Sequence, residues 1–287
     1  MRRKKEKLTA GMFLIYAALI LWSLTTIYPL IWILQNSFKD RKQILSNSFS
    51  LPLGDMFTLA NYEKALNKFN ILTAYRNSLA VSCSVCIAVI VLAGLAAYAL
   101  VRYRFPGCGL IQSLVVGAMM FPAFSTIIPV FRMEHAWGLA GTNEVPTALL
   151  ACILPQIAGN LAFAIVVLSG YMKGLPVELE ESAYMEGARA GQIFFRIIMP
   201  LTKPSFATVG IFSFLWSYND LFTQSFFLRL PKQRSITFLL NEISGKQGTD
   251  YGLMAAAVSL IVIPLLLVYV CLQKYIIRGM TAGAIKG

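Results

Sequence analysis

Long apolar runs separated by short polar segments set the layout of this chain. The first covers residues 8–34 and is entered from a basic head carrying Arg2, Arg3, Lys4, Lys5 and Lys7. Further runs cover residues 77–101, 110–131, 145–171, 205–228 and 252–272. A helix needs about 20 mostly apolar residues to cross the hydrocarbon of a bilayer. Each run reaches that length, so the pattern predicts an all-α membrane protein with six transmembrane helices. The first run is too long for a secretory signal core, and no small-residue cleavage site follows it. Pro122 and Pro129 lie inside the third run and predict a kinked helix there. Pro155 sits in the middle of the fourth.

The polar segments between the runs differ in character. Residues 35–76 form the longest, with a short helical pattern over 62–69, and residues 102–109 form a tight basic turn. Residues 229–250 make a polar loop, and residues 171–203 join the fourth run to the fifth. The expected layout is a basic head over 1–11, one membrane domain over 12–274 with the first span at 12–34, and a tail over 275–287. No repeat of 20–50 residues interrupts it.

Composition agrees. Of 287 residues 57 % are hydrophobic and only 13 % charged, about half the charged share of a soluble domain. The net charge of +12 is spread through short loops. Anionic lipid, not nucleic acid, is the expected counter-charge. Six spans place both ends on one side. The segments assigned to that side hold fourteen Lys and Arg against eleven on the other. The dense head decides the orientation, since charge in short segments near a span end counts most. Both termini are therefore expected in the cytoplasm.

The segment 175–204 has the most complex polar pattern in the chain. Glu178, Glu180, Glu181 and Glu186 crowd its start, where a helix dipole favours negative charge. Pro176 suits a first helical position. Ala183, Gly187 and Gly191 recur every fourth residue and predict a ridge without side chains along one helix face. An anchor lying on lipid headgroups should carry Lys and Arg on its polar face. This segment carries glutamate and glycine, which favours a docking helix over a passive linker.

Catalytic signatures are missing. The single Gly-Lys, Gly245-Lys246, lacks the upstream glycine and the following Ser or Thr of a phosphate-binding loop. Neither HExxH nor GxSxG occurs. The five cysteines lie in or beside apolar stretches, and His135 is the only histidine. Small core cysteines and an exposed loop histidine are the expected readings, with no metal and no cofactor in the chain.

Ionisable residues inside the runs are nearly absent, and Asp220 is the exception. By the helical rise it lies about 24 Å along the fifth span, toward the outer leaflet. Two readings stand. Asn219 and Asp220 face a water-filled path, with Trp216 and Tyr218 as stacking surfaces; or Asp220 caps a helix end and the aromatics form an interfacial belt. Gln156 and Asn160 are four apart and share a face of the fourth span. They suit hydrogen bonds to a polyhydroxylated solute and equally suit hydrogen bonds between helices. A stand-alone secondary carrier usually needs carboxylates at mid-membrane, so that rival is disfavoured. A membrane enzyme would need paired catalytic groups, which the pattern lacks.

The segment resembles the cytoplasmic EAA loop of membrane subunits of ATP-binding-cassette importers. That loop reads Glu-Ala-Ala, three residues, Gly, nine residues, Ile, one residue, Leu-Pro. Glu181, Ser182, Ala183, Gly187, Ile197, Met199 and Pro200 reproduce the spacing without a gap. Ser182, Glu186 and Met199 are conservative departures. Sugar-type permeases are also resembled at Leu59-Ala60-Asn61-Tyr62, Asn77-Ser78-Leu79, Arg104-Phe105, Trp216-Ser217-Tyr218-Asn219-Asp220 and Gly283-Ala284-Ile285-Lys286-Gly287. The overall likeness is to a maltose-permease-type second subunit.

That resemblance implies a cytoplasmic coupling helix between helices four and five, in the loop 175–203, docked on a separate ATPase. Glu181, Ser182, Ala183, Glu186, Gly187 and Pro200 become the coupling residues. Trp216, Tyr218, Asn219, Asp220, Gln156 and Asn160 become the candidate solute path. The implied partners are a homologous second permease, an ABC ATPase dimer holding ATP and magnesium, an extracytoplasmic solute-binding protein, membrane lipid and a carbohydrate. The implied place is a bacterial inner or plasma membrane.

Overall fold

The computed structural model describes residues 10–246 and 250–284. The basic head through Lys7 and the terminal Ile285-Lys286-Gly287 lie outside them. All regular structure among the described residues is helical: α1 Ala10–Ser37, α2 Arg41–Ser46, α3 Ala60–Lys68, α4 Ile71–Arg102, α5 Cys108–Ala118, α6 Ala123–Ala136, α7 Val145–Lys173, α8 Glu178–Met185, α9 Ala190–Ile193, a π-helical turn Phe194–Ile198, α10 Met199–Leu201, α11 Lys203–Asn219, α12 Leu221–Phe227, α13 Ile236–Lys246 and α14 Tyr251–Ala284, with one 3-10 turn at Gly54–Met56. Among the described residues, Gly11–Ser37, Ile71–Arg102 and Val145–Lys173 are each long and apolar enough to cross a membrane. Ala190–Leu201 and Lys203–Asn219 together pass the same test but bend by 83° where they meet.

Several sequence expectations shift. The second run starts earlier, at Ile71. The third is not one kinked helix but two, α5 and α6, with Met119 to Pro122 between them. Pro122 has no N–H to give and pushes the residue before it away from helical geometry, so the break falls there. Pro129 and Pro155 leave α6 and α7 unbroken. The fifth run ends as a helix at Asn219 and restarts at Leu221. Residues 275–284 of the expected tail continue α14. His135 lies on α6, with Nδ1 2.9 Å from the Ala140 carbonyl, and not in a loop.

The chain forms two compact units. The first comprises residues 1–69 and 240–265. Its α1 is apolar all round, and none of its most hydrophobic window is buried, which suits a lipid-facing helix. After α1 the chain is pinned by Asn61, whose Nδ2 donates to the Ser37 and Lys39 carbonyls at 3.0 and 2.7 Å. Gly252 lets α14 come against this knot, because a Cβ there would lie 2.7 Å from both Asn61 Nδ2 and the Lys39 carbonyl. Burial pushes the Lys39 ammonium below its ordinary pKa, and its Nζ donates to the Asn47 and Ser48 carbonyls.

The second unit holds residues 70–239 and 266–287. Its spine is α4, packed along α7 and α11. Val81, Val85, Val89, Ala93 and Ala97 are fully buried and spaced four apart, so they form one ridge. Small residues let neighbours close in. A Cβ on Gly94 would lie 2.8 Å from the Phe206 ring, and one on Gly210 would lie 3.1 Å from Ile90.

Candidate functional site

Two features of the second unit bear on function. The first is the segment after α7. Helix α8 begins two residues after Pro176, not at it, with Val177 as N-cap. It ends where Gly187 takes φ +81°. Gly187 N–H donates to the Tyr184 carbonyl at 2.9 Å, and Ala188 N–H to the Ala183 carbonyl at 3.0 Å. This pair of bonds is the Schellman closure, which wants glycine because a side chain in left-handed backbone clashes with the next carbonyl. The expected ridge of Ala183, Gly187 and Gly191 is therefore broken: Ala183 lies on α8, Gly187 in the turn and Gly191 on α9. A Cβ on Gly187 would touch nothing within 4 Å. Conformation, not close approach within this chain, explains the glycine.

Helix α8 turns Glu180 and Ala183 inward and leaves Glu178, Glu181, Ser182, Met185 and Glu186 exposed. Met185 is the extreme, at 89 % exposure. Ser182 Oγ donates back to the Glu178 carbonyl at 2.8 Å. Glu180, only 4 % exposed, pairs with the Arg102 guanidinium and accepts the Tyr98 hydroxyl at 2.9 Å. Arg102 Nη2 donates to the Leu175 carbonyl at 3.0 Å. Tyr103 and Tyr184 join through their hydroxyls at 3.0 Å, and that bond, with burial, raises the Tyr103 pKa. Further on, Pro200 is exposed and has no N–H for an α-helical bond to Arg196. The π turn comes immediately before it, with Met199 N–H reaching back to the Phe194 carbonyl. Thr202 then marks the bend, its Oγ1 donating to the Ile198 carbonyl at 2.7 Å.

The second feature is a cavity of about 330 Å³ between α6, α7, α11 and α12. Four of the six solute-path candidates line it: Gln156, Asn160, Trp216 and Asp220. The other two do not. Tyr218 is buried elsewhere, stacked on Phe214, and Asn219 is exposed and bonds the Leu215 carbonyl of its own helix. Helical period explains the split: Trp216 and Asp220 are four apart, while Tyr218 lies on the far side of α11. Phe124, Gly159, Ser217, Phe222 and Thr223 complete the polar and aromatic lining, and sequence reasoning missed them. Gly159 could have been found from the face it shares with Gln156 and Asn160; the others depend on tertiary packing.

Polar groups converge on this wall. Ser217 Oγ lies 2.5 Å from Gln156 Oε1, and Gln224 Nε2 donates to the Ser217 carbonyl at 2.7 Å. Asn160 Nδ2 donates to the Gln156 carbonyl at 2.7 Å, whereas its Oδ1 is buried with no hydrogen-bond partner among the described residues. Asp220 caps α12 by accepting Thr223 N–H at 3.0 Å, and it also borders the cavity. Phe124 and Phe222 meet edge to face at 4.8 Å. Aromatic faces, amides and hydroxyls around a small hollow suit a ligand that offers both apolar ring faces and hydroxyl groups.

The comparisons with known proteins agree with this architecture. Residues 89–282 match the family model described as binding-protein-dependent transport system inner membrane component. The diacetylchitobiose uptake system permease protein NgcG of Streptomyces coelicolor is 33 % identical over 94 % of this chain and 88 % of its own length. The alpha-glucoside transport system permease protein AglG of Rhizobium meliloti is 34 % identical over 83 % of this chain and 63 % of its own. A chain in the crystal structure of a bacterial ABC transporter involved in import of the acidic polysaccharide alginate superposes with TM-score 0.77 at 22 % identity, covering 94 % of this chain and 99 % of that one. With the matched model spanning most of its length, the chain belongs to the family of binding-protein-dependent transport system inner membrane components, multi-pass subunits of transporters and not of catalytic enzymes.

Proposed function

We propose that the chain is one permease half of an ATP-driven carbohydrate importer, worked from below by a separate ATPase. The observation that carries this reading is α8: a short acidic helix presenting Glu178, Glu181, Met185 and Glu186 outward while Glu180 and Ala183 hold it to the body of the second unit. Such a knob, charged with one protruding methionine, suits a groove on another protein. Six crossings follow the six apolar runs, the third and fifth being broken helices, and both termini lie in the cytoplasm. ATP and magnesium bind in the ATPase pair. A homologous permease supplies the other half of the path, and an extracytoplasmic binding protein delivers the solute. The cavity beside Asn160 and Trp216 is the stretch of that path in this subunit. The uptake systems of NgcG and AglG, named for diacetylchitobiose and alpha-glucosides, support a carbohydrate cargo.

Alternating exposure of the path then comes from rocking of helices as the ATPase closes. The test is affinity purification of the tagged chain from its native membrane. Recovery of an ATPase that is lost on Glu181→Lys, with the chain still in the membrane, supports the reading. Import by the purified chain alone under an ion gradient would overturn it in favour of a secondary carrier.

A further inference from the structure

Glu180 sits inside the acidic cluster of α8 yet takes no part in its outward face. It is 4 % exposed and ion-paired with Arg102, the last residue of α4. Arg102 Nη2 also donates to the Leu175 carbonyl. A single guanidinium therefore grips the chain on both sides of the α8 entry, ahead of the helix and within it. Tyr98, one turn earlier on α4, donates to the second oxygen of the same carboxylate. Beyond Ala183 and Glu180, no α8 side chain is buried.

The α4 side of this contact is a row. Cys86, Ile90, Gly94, Tyr98 and Arg102 are spaced four apart and share one face. Each member meets either α11 or the segment leading to it. Cys86 Sγ donates to the Gly210 carbonyl at 3.3 Å, and Ile90 lies against Gly210. Gly94 leaves room for the rings of Phe194 and Phe206, and Tyr98 packs on Phe194 with centroids 5.4 Å apart. The same α11 carries Trp216 and Ser217 into the cavity wall, with Asp220 immediately after its last residue.

We propose that Glu180 and Arg102 are positioning residues forming a rigid joint, through which displacement of α8 is passed to α4 and along its row to α11. The proposal rests on the reading of α8 as the ATPase-docking helix. A buried ion pair suits a joint of this kind, because separating its partners would strand two charges away from water. Its fork and hydroxyl bonds fix orientation as well as distance. Without the pair, α8 would be left with buried Ala183 and the exposed Tyr103–Tyr184 hydroxyl bond to hold it.

The joint can be read directly by distance. Cys83 is exposed on α4, and Glu178→Cys adds a second site on α8; the remaining cysteines are replaced by serine. Spin labels on these two positions are measured in the assembled complex, at rest and after trapping with ATP and vanadate. With the pair intact, the distance is narrow and the same in both states, since α8 and α4 move as one body. Glu180→Gln and Arg102→Lys each broaden the distribution and shift it on trapping. The double variant Glu180→Met with Arg102→Met removes both buried charges, so it assembles even where a single variant does not. It too loses the fixed distance while retaining the ATPase. Unchanged distributions in the single variants, or a double variant that behaves like the parent, overturn the joint and leave the pair with a folding role alone. Failure of the parent chain to co-purify with an ATPase overturns the docking reading instead, and the joint with it.

Discussion

Glu180 and Glu181 are neighbours in sequence and face opposite ways: the first is buried against Arg102 and Tyr98, the second points into solvent. Identical chemistry at adjacent positions is thus used differently: Glu180 holds α8 to its own chain, and Glu181 leaves its charge on the outward face, where the proposed ATPase would meet it. The motif resemblance points to Glu181, yet the energetic weight within this chain falls on Glu180. Glu181→Ala is expected to shift stability by no more than about 0.5 kcal/mol, as for an exposed side chain. Glu180→Ala, which strands the buried Arg102 cation, is expected to cost about 3 kcal/mol or more. Thermal unfolding of the detergent-purified chain distinguishes them, and equal losses would refute the assignment.

Gly187 gives a test of conformation against contact. Its φ of +81° and the open space beside it mean that a side chain is opposed by backbone geometry and not by this chain's own packing. Gly187→Ala is expected to destabilise by about 1–2 kcal/mol, the cost of an L-residue in left-handed backbone. Gly187→Asn should cost less, because asparagine tolerates that region. Where only the turn matters, ATPase association follows the stability order Gly, Asn, Ala. Loss of association in the Asn variant at normal stability would show that the partner itself needs a bare backbone here.

How much of this was legible from the sequence follows from what each signal depends on. Apolar length alone identified α1, α4 and α7, because a membrane span is a local property of composition. The breaks at Pro122 and Asp220 were harder. Proline bends or breaks a helix according to whether neighbours satisfy the freed carbonyls, and Pro129 and Pro155 stay inside helices. In the coupling segment, the four-residue spacing of Ala183, Gly187 and Gly191 suggested one helix face. A glycine at the same spacing can also end the helix, and local bonding at Ala188 decided for the turn. The stretch from Trp216 to Asp220 was read as one block, whereas helical period sends Trp216 and Asp220 to the cavity and Tyr218 away. Arg102 and Glu180 are 78 positions apart in sequence, and their pairing had no local trace.

The packing of α4 on α11 and on the π turn before it depends on Gly94. A methyl there would sit 2.8 Å from Phe206 and 3.2 Å from Phe194, both buried rings. Gly94→Ala is expected to destabilise by about 1–3 kcal/mol through overpacking. Combining it with Phe206→Leu, which frees volume at the same spot, should recover part of the loss. Additive losses in that pair, measured by thermal unfolding, would mean that the two residues do not share the contact.

Asn160 allows stability and transport to be pulled apart. Its Oδ1 is buried beside the cavity without a partner among the described residues, an arrangement that costs free energy unless a donor enters the cavity. On the proposed solute path, a hydroxyl of the cargo would supply the missing donor. Asn160→Leu removes the stranded acceptor at similar volume, so the unfolding temperature should hold or rise. Import should weaken at the same time: loss of one hydrogen bond, about 1 kcal/mol, raises KM roughly fivefold. Asn219→Ala is the control, since Asn219 faces outward and bonds only its own helix among the contacts seen, and its KM should not move. An Asn160→Leu protein that unfolds earlier but imports with unchanged KM would make Asn160 a packing residue and take the cavity out of the solute path.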